Sequence, residues 1–182
     1  VLPGGFSYGD YLRSGAIAKL SPIMNEVIKH ANNGGYVLGV CNGFQILTES
    51  GLLEGALLHN NNQRFICKNV YLKPASNAAI TKDLDTNKAY KIPIAHGEGR
   101  YYADNDTIQK LHDNGQVLFQ YCTEEGAVDE AVNPNGSIDN IAGICNEKRN
   151  VFGMMPHPER AADAELANLD GKAMFESILA HC

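Results

Sequence analysis

Cysteine is sparse and unpaired in this chain: Cys41, Cys67, Cys122, Cys145 and Cys182 are widely scattered, with no CxxC pair among them. An odd, dispersed set fits neither a disulfide framework nor a cysteine zinc site. It suits a reducing, cytoplasmic compartment in which all but Cys41 are read as small buried hydrophobes. Basic residues are also few, 15 Lys and Arg against 21 Asp and Glu, for a formal charge of −6. Nothing here builds the dense cationic face that a nucleic acid or an anionic membrane surface requires, so neither is expected as a partner. No apolar run approaches the roughly 20 residues of a bilayer-spanning helix, and no basic-then-apolar leader stands at the first residues. There is no GxxxxGK[ST] and no dinucleotide fingerprint, and Gly97–Gly99 is a lone GxG outside a strand-and-helix setting. The chain itself is therefore expected to hold no cofactor and no metal. Repeats, low-complexity segments and long linkers are absent as well, so residues 1–182 read as one domain with a sizeable core.

What is present alternates between strands and helices. Ser21-Pro22 marks a helix start, a serine cap followed by proline where its missing N–H costs nothing. Ile23, Met24, Val27, Ile28 and Ala31 then recur at helical spacing, and Gly34-Gly35 ends the segment. Tyr36 to Val40 is a short β-rich apolar run, and a second helix is expected from about Phe44 to Glu49. Further strands are expected over 64–72, 91–95, 117–121, 138–145 and 151–155, with helices over 104–114 and 171–180. This pattern predicts an α/β fold of three layers, a mostly parallel sheet flanked by helices with an antiparallel extension. The opening Val1-Leu2-Pro3-Gly4-Gly5 reads as a strand end entering a loop, without an initiator Met, and suggests that an N-terminal piece is absent.

Gly39-Val40-Cys41-Asn42-Gly43 has the G-x-nucleophile-x-G form of a strand that turns at once into a helix, with cysteine in the nucleophile's place. Such a turn strains the nucleophile's backbone, and the small flanking residues avoid a β-carbon clash. At a helix N-terminus the exposed N–H groups are expected to favour the Cys41 thiolate and lower its pKa. Pro156-His157-Pro158-Glu159 follows an apolar strand. Proline after His157 favours an extended backbone, in which residues two apart share a side, so Glu159 can fix the imidazole while its other nitrogen faces a thiol. Pro3-Gly4-Gly5-Phe6-Ser7-Tyr8-Gly9-Asp10 is either a plain turn or a second backbone N–H donor to an oxyanion, beside that of Asn42.

These segments, together with His96-Gly97-Glu98-Gly99-Arg100 and Met155-Pro156-His157-Pro158-Glu159-Arg160, resemble class I glutamine amidotransferases over nearly the whole chain. More narrowly, they are similar to the separate-subunit glutaminases of purine biosynthesis. The resemblance implies a flavodoxin-like core and hydrolysis of glutamine, with Cys41 as nucleophile, His157 as base and then acid, and Glu159 as orienter. It also implies an oxyanion hole from the Gly5 and Asn42 N–H groups, with Gln45, His96 and Glu98 near the bound glutamine. The partners it implies are a large ATP-dependent synthetase subunit, which would carry the ATP and Mg²⁺, and a small accessory subunit. Loops near Gly9–Arg13 and His96–Tyr102 are expected to be exposed for that contact. The family's first strand–helix–strand unit, before Gly4, is expected to be missing. Two other readings stay open: a stand-alone cysteine γ-glutamyl hydrolase or peptidase of the same fold, and a non-catalytic glutamine-binding regulatory module.

Overall fold

The computed structural model describes residues 1–181; the reading of Cys182 as a buried thiol lies outside the described residues. Helix α1 (Pro22–Asn32) begins with proline in its first turn and turns Met24 and Ala31 inward. Ser21 sits at the cap position but its side chain caps nothing. The Met24 N–H that it would serve is already donated to the Ser21 carbonyl at 2.9 Å. Strand β1 (Val37–Val40) is buried throughout and runs into α2 (Asn42–Glu49) after the single residue Cys41. Asn42 to Thr48 are all buried, so α2 is a core helix rather than an amphipathic surface one. Its Phe44 is fully buried and stacks on Tyr101, ring centroids 6.1 Å apart. Burying one such ring contributes about 2–3 kcal/mol.

The remaining elements are β2 (Ala56–Leu58), β3 (Ile66–Pro74), β4 (Tyr90–His96), β5 (Arg100–Tyr102), α3 (Asn105–Asp113), β6 (Val117–Cys122), β7 (Ile141–Cys145), β8 (Val151–Met154) and α4 (Asp170–His181). Asp104 caps α3 through the Thr107 N–H at 2.8 Å. The main sheet has the order β1-β8-β7-β6-β3-β4, and β2 pairs with β5 apart from it. β1 and β8 are parallel, Val40 opposite Met154, while the other ladders of this sheet are antiparallel. Leu2 extends the parallel part, donating to the Leu38 carbonyl and accepting from the Val40 N–H. Following the pairings across the sheet, β1, β8, β6 and β4 all point one way, so four C-terminal strand ends share one edge. The sheet also curls. β1 and β4 are its outermost strands, yet the Cys41 Sγ lies 3.7 Å from the Ala95 carbonyl, and the His157 N–H donates to the Pro93 carbonyl at 2.8 Å.

The α/β class, the flanking helices and the antiparallel extension are as expected. The strand expected from 138 begins at 141, because Ile138–Asn140 is a 3-10 turn with Asp139 at φ 51°. β2 and β5, three residues each, gave no readable period. The segment from His96 is not an exposed loop: His96, Gly99 and Tyr101 are buried, and Arg100–Tyr102 is strand. Tyr11, Leu12 and Arg13 are exposed as expected. Cys122 and Cys145 are buried free thiols, but Cys67 is exposed on β3.

Candidate active site

Cys41 is the residue at which β1 becomes α2, and its backbone, φ 51° and ψ −108°, lies where side chains are rarely tolerated. The glycines around it are needed for approach. A β-carbon on Gly39 would come within 2.7 Å of the Gly43 backbone, and one on Gly43 within 2.0 Å of the Leu2 carbonyl oxygen. The strained turn is thus held between the helix and the N-terminal bridge. The Cys41 N–H donates to the Met154 carbonyl at 2.8 Å, which ties the turn to β8 and to the segment carrying His157.

His157 is 2 % exposed, and its Nδ1 is 2.6 Å from Glu159 Oε1. The residues are neighbours, but not along an extended strand: His157 caps the 3-10 turn Pro158–Ala161, and that turn brings Glu159 back to the ring. Burial works to raise the Glu159 carboxyl. The bond from His157 and its charge, with the charge of Arg160, outweigh that and hold it below the usual range. An ionised Glu159 accepts from Nδ1–H and leaves Nε2 the bare nitrogen, which is buried and has no partner among the described residues. Gly4 lies against both groups: a β-carbon there would be 2.7 Å from His157 Cε1 and 3.4 Å from Cys41 Cβ. Cysteine, imidazole and glycine loop therefore converge at the shared strand edge, which is where α/β sheets collect their sites.

The expected low thiol pKa is overturned. Burial pushes the Cys41 thiol up to about 11, and the Asn42 N–H at the start of α2 and the charge of Arg160 pull it down only in part. Cys41 is 5 % exposed, and desolvation of the anion outweighs the helix terminus there. The resting residue is a neutral thiol that needs a base.

Gln45, 4 % exposed, accepts from Asn42 Nδ2 at 2.8 Å and donates to the Glu98 carbonyl at 2.5 Å, joining α2 to the 96–99 segment. The Glu98 carboxylate accepts from the Ser14 N–H at 3.1 Å and lies 3.4 Å from His59 Nε2. His96, at the end of β4, is 2 % exposed; burial, then the nearby charge of His157, take its pKa down to about 4. Gly5 is exposed, with open space where a β-carbon would stand. Three participants were not singled out from sequence. Gly4 was hidden in a Gly-Gly pair. Asp10 bonds Asn42 Nδ2 at 3.4 Å, and burial raises its carboxyl. Asn60 sits in a run of three asparagines that reads as plain loop.

Comparison with known proteins gives the family of the chain. The profile of the CobB/CobQ-like glutamine amidotransferase domain matches residues 1–177. The chain is 58 % identical over 178 residues to the phosphoribosylformylglycinamidine synthase subunit PurQ of Synechocystis sp., covering 97 % of this chain and 80 % of that protein. It is 54 % identical over 180 residues to the PurQ subunit of Aquifex aeolicus, covering 98 % and 79 %. Among solved structures, PurLQS from Thermotoga maritima superposes with a TM-score of 0.85 at 45 % identity, covering 99 % of this chain and 77 % of that one. A second glutamine amidotransferase of that organism, 14 % identical with a TM-score of 0.52 over 85 % and 65 % of the two chains, shares the fold. With the profile spanning nearly all of its length, the chain belongs to the CobB/CobQ-like glutamine amidotransferase family.

Proposed function

We propose that this chain is the glutaminase subunit of a phosphoribosylformylglycinamidine synthase, hydrolysing glutamine to glutamate and ammonia for a synthetase partner in purine biosynthesis. The observation that carries this reading is the strained, buried Cys41 thiol beside a His157 whose tautomer Glu159 fixes. His157 Nε2 takes the thiol proton as the sulfur attacks the side-chain carbonyl carbon of glutamine. The Gly5 and Asn42 N–H groups receive the oxyanion. His157 returns the proton to the departing nitrogen, ammonia leaves, and a γ-glutamyl thioester remains on Cys41. The same imidazole then draws a proton from water, which attacks the thioester and frees glutamate and the thiol. Gln45, His96 and Glu98 form the wall proposed to hold the glutamine.

The similarity to PurQ subunits and to PurLQS supports partnership with a large synthetase subunit, which would bind the ATP and Mg²⁺, and with a small accessory subunit. No described helix is long and apolar enough to cross a membrane. The four described cysteines are free thiols, which supports placement in the reducing cytoplasm.

The test is intact mass after incubation with a glutamine-mimicking diazoketone. Saturable modification of Cys41 that glutamine blocks is expected; turnover of γ-glutamyl peptides with no response to glutamine would replace this reading with the stand-alone hydrolase. The pH dependence follows from the buried thiol. A group at about 11 is roughly one ten-thousandth ionised at pH 7, so labelling near neutrality depends on His157. His157→Ala is expected to suppress labelling at neutral pH and restore it only as pH rises toward about 11. Unchanged neutral labelling in that variant would remove His157 as the base. Glu159→Gln is expected to be milder than loss of Cys41 or His157 but still large, up to about 10⁴-fold in kcat, since the carboxylate fixes the His157 tautomer and offsets its charge without itself reacting. A complete loss would mean that Glu159 does more than orient.

A further inference from the structure

Asn60 is fully buried in the segment between β2 and β3, and every hydrogen-bonding position of its side chain is used. Nδ2 donates to the Arg64 carbonyl at 2.7 Å and to the His96 carbonyl at 2.8 Å. Oδ1 accepts from the Gly99 N–H at 3.2 Å and lies 3.0 Å from His96 Nδ1. Its backbone N–H donates to the Gly97 carbonyl at 2.9 Å. Two carbonyls can only accept and one amide N–H can only donate, so the amide cannot be turned over without breaking three bonds. With Oδ1 fixed as the acceptor, the hydrogen on His96 must sit on Nδ1. His96 Nε2 is then left a bare acceptor, buried and without a partner among the described residues.

We propose that Asn60 is a positioning residue of the glutaminase site: it fixes the His96 hydrogen on Nδ1, leaves Nε2 bare, and offers the ring a neutral acceptor in place of a charge that would favour the imidazolium, so that no positive charge stands near His157 when His157 accepts the Cys41 proton. The proposal rests on the catalytic reading of Cys41 and His157. Its physical content is that an imidazolium at His96 would oppose formation of a second one at His157. Burial and the His157 charge already disfavour the charged ring, and Asn60 adds a neutral acceptor where a carboxylate would have done the opposite. The titratable and charged groups of this region are His157 after β8 with its partner Glu159, Cys41 at the head of α2, Tyr121 on β6, Glu98 and Arg100 on the segment after His96, and His59 next to Asn60. Of these, His157 is the one whose charge acts on His96, while the Glu98 carboxylate is taken up by Ser14 and His59.

Two measurements test this. In the full-length chain labelled with ¹⁵N-histidine, the His96 resonances are expected to report a protonated Nδ1 and a bare Nε2 from pH 5 to 8; a protonated Nε2 in that range overturns the proposal. In the assembled enzyme, Asn60→Asp keeps an acceptor on Nδ1 and favours the imidazolium, while giving up the two bonds that Nδ2 donates to the Arg64 and His96 carbonyls. Glutaminase activity is then expected to fall at low pH and return as pH rises through the raised His96 pKa. The acid limb of kcat/KM moves up by about one unit or more. Asn60→Ala lowers activity without moving the limb, and adding His96→Gln to Asn60→Asp returns the limb to its original position. An acid limb that stays in place in Asn60→Asp, or that stays shifted after His96→Gln, overturns the proposal. The NMR result does not depend on turnover, so it stands apart from failure of the catalytic reading, which would appear as activity retained in Cys41→Ala.

Discussion

Cys41→Ala is expected to reduce glutamine hydrolysis to background, a loss of at least about 10³-fold, while thermal unfolding stays close to wild type. The sulfur is the proposed attacking atom, and alanine at this position offers no nucleophile in its place. Stability should change little, because alanine keeps the β-carbon in the same left-handed conformation and gives up only one buried sulfur. A comparison with Cys41→Gly separates chemistry from strain. Glycine accepts φ 51° without the clash, so that variant is expected to be equally inactive yet more stable than Cys41→Ala by about 1 kcal/mol. Steady-state ammonia release and calorimetry would check both variants. Turnover surviving in either would sink the nucleophile assignment, and a Cys41→Gly less stable than Cys41→Ala would remove the argument for stored strain.

Gly4→Ala is expected to lower activity substantially although the residue carries no chemistry. The added methyl would stand 2.7 Å from His157 Cε1, well inside contact distance, and the same methyl would touch Cys41 Cβ at 3.4 Å. The ring is 2 % exposed and tied to Glu159 at 2.6 Å, so it can yield only by moving with the half-exposed carboxylate. A shift near 1 Å costs about 10²-fold in rate when geometry sets the barrier. The loss should therefore fall on kcat, with folding intact. Gly5→Ala is the control: open space surrounds its β-carbon position, so its steric effect on the ring should be small. Near wild-type kcat in Gly4→Ala would mean that the loop does not pack on the imidazole as described.

How much of this was legible beforehand depended on whether the signal was local. Pro22 at a helix start, the all-apolar Val37–Val40 and the capped Asp104 helix are dictated within a few residues, and each element was placed to within about three positions. The elbow was legible for the same reason, since its glycines answer a clash inside one turn. The His157–Glu159 pairing was also predicted, although through the wrong conformation: a 3-10 turn brings the residues together, not an extended strand. What failed was whatever depended on neighbours distant in sequence. The β2–β5 ribbon pairs segments far apart in sequence, with Tyr101 of β5 stacked on Phe44 of α2, and three-residue strands carry no period of their own.

The sequence by itself determined the alternation of strands and helices, the cysteine elbow and the histidine–carboxylate pair, because those depend on spacing, turn stereochemistry and residue type. The tertiary structure alone decided that the thiol is neutral rather than ionised, since burial by α2, β4 and the Gly4 loop costs the anion more than one helix terminus returns. It alone decided that the outermost strands of the sheet curl together, so that the Ala95 carbonyl reaches Cys41, and that Asn60 and Gly4 belong to the site. Desolvation and close approach are properties of what surrounds a residue in space, and no local pattern of residues encodes them.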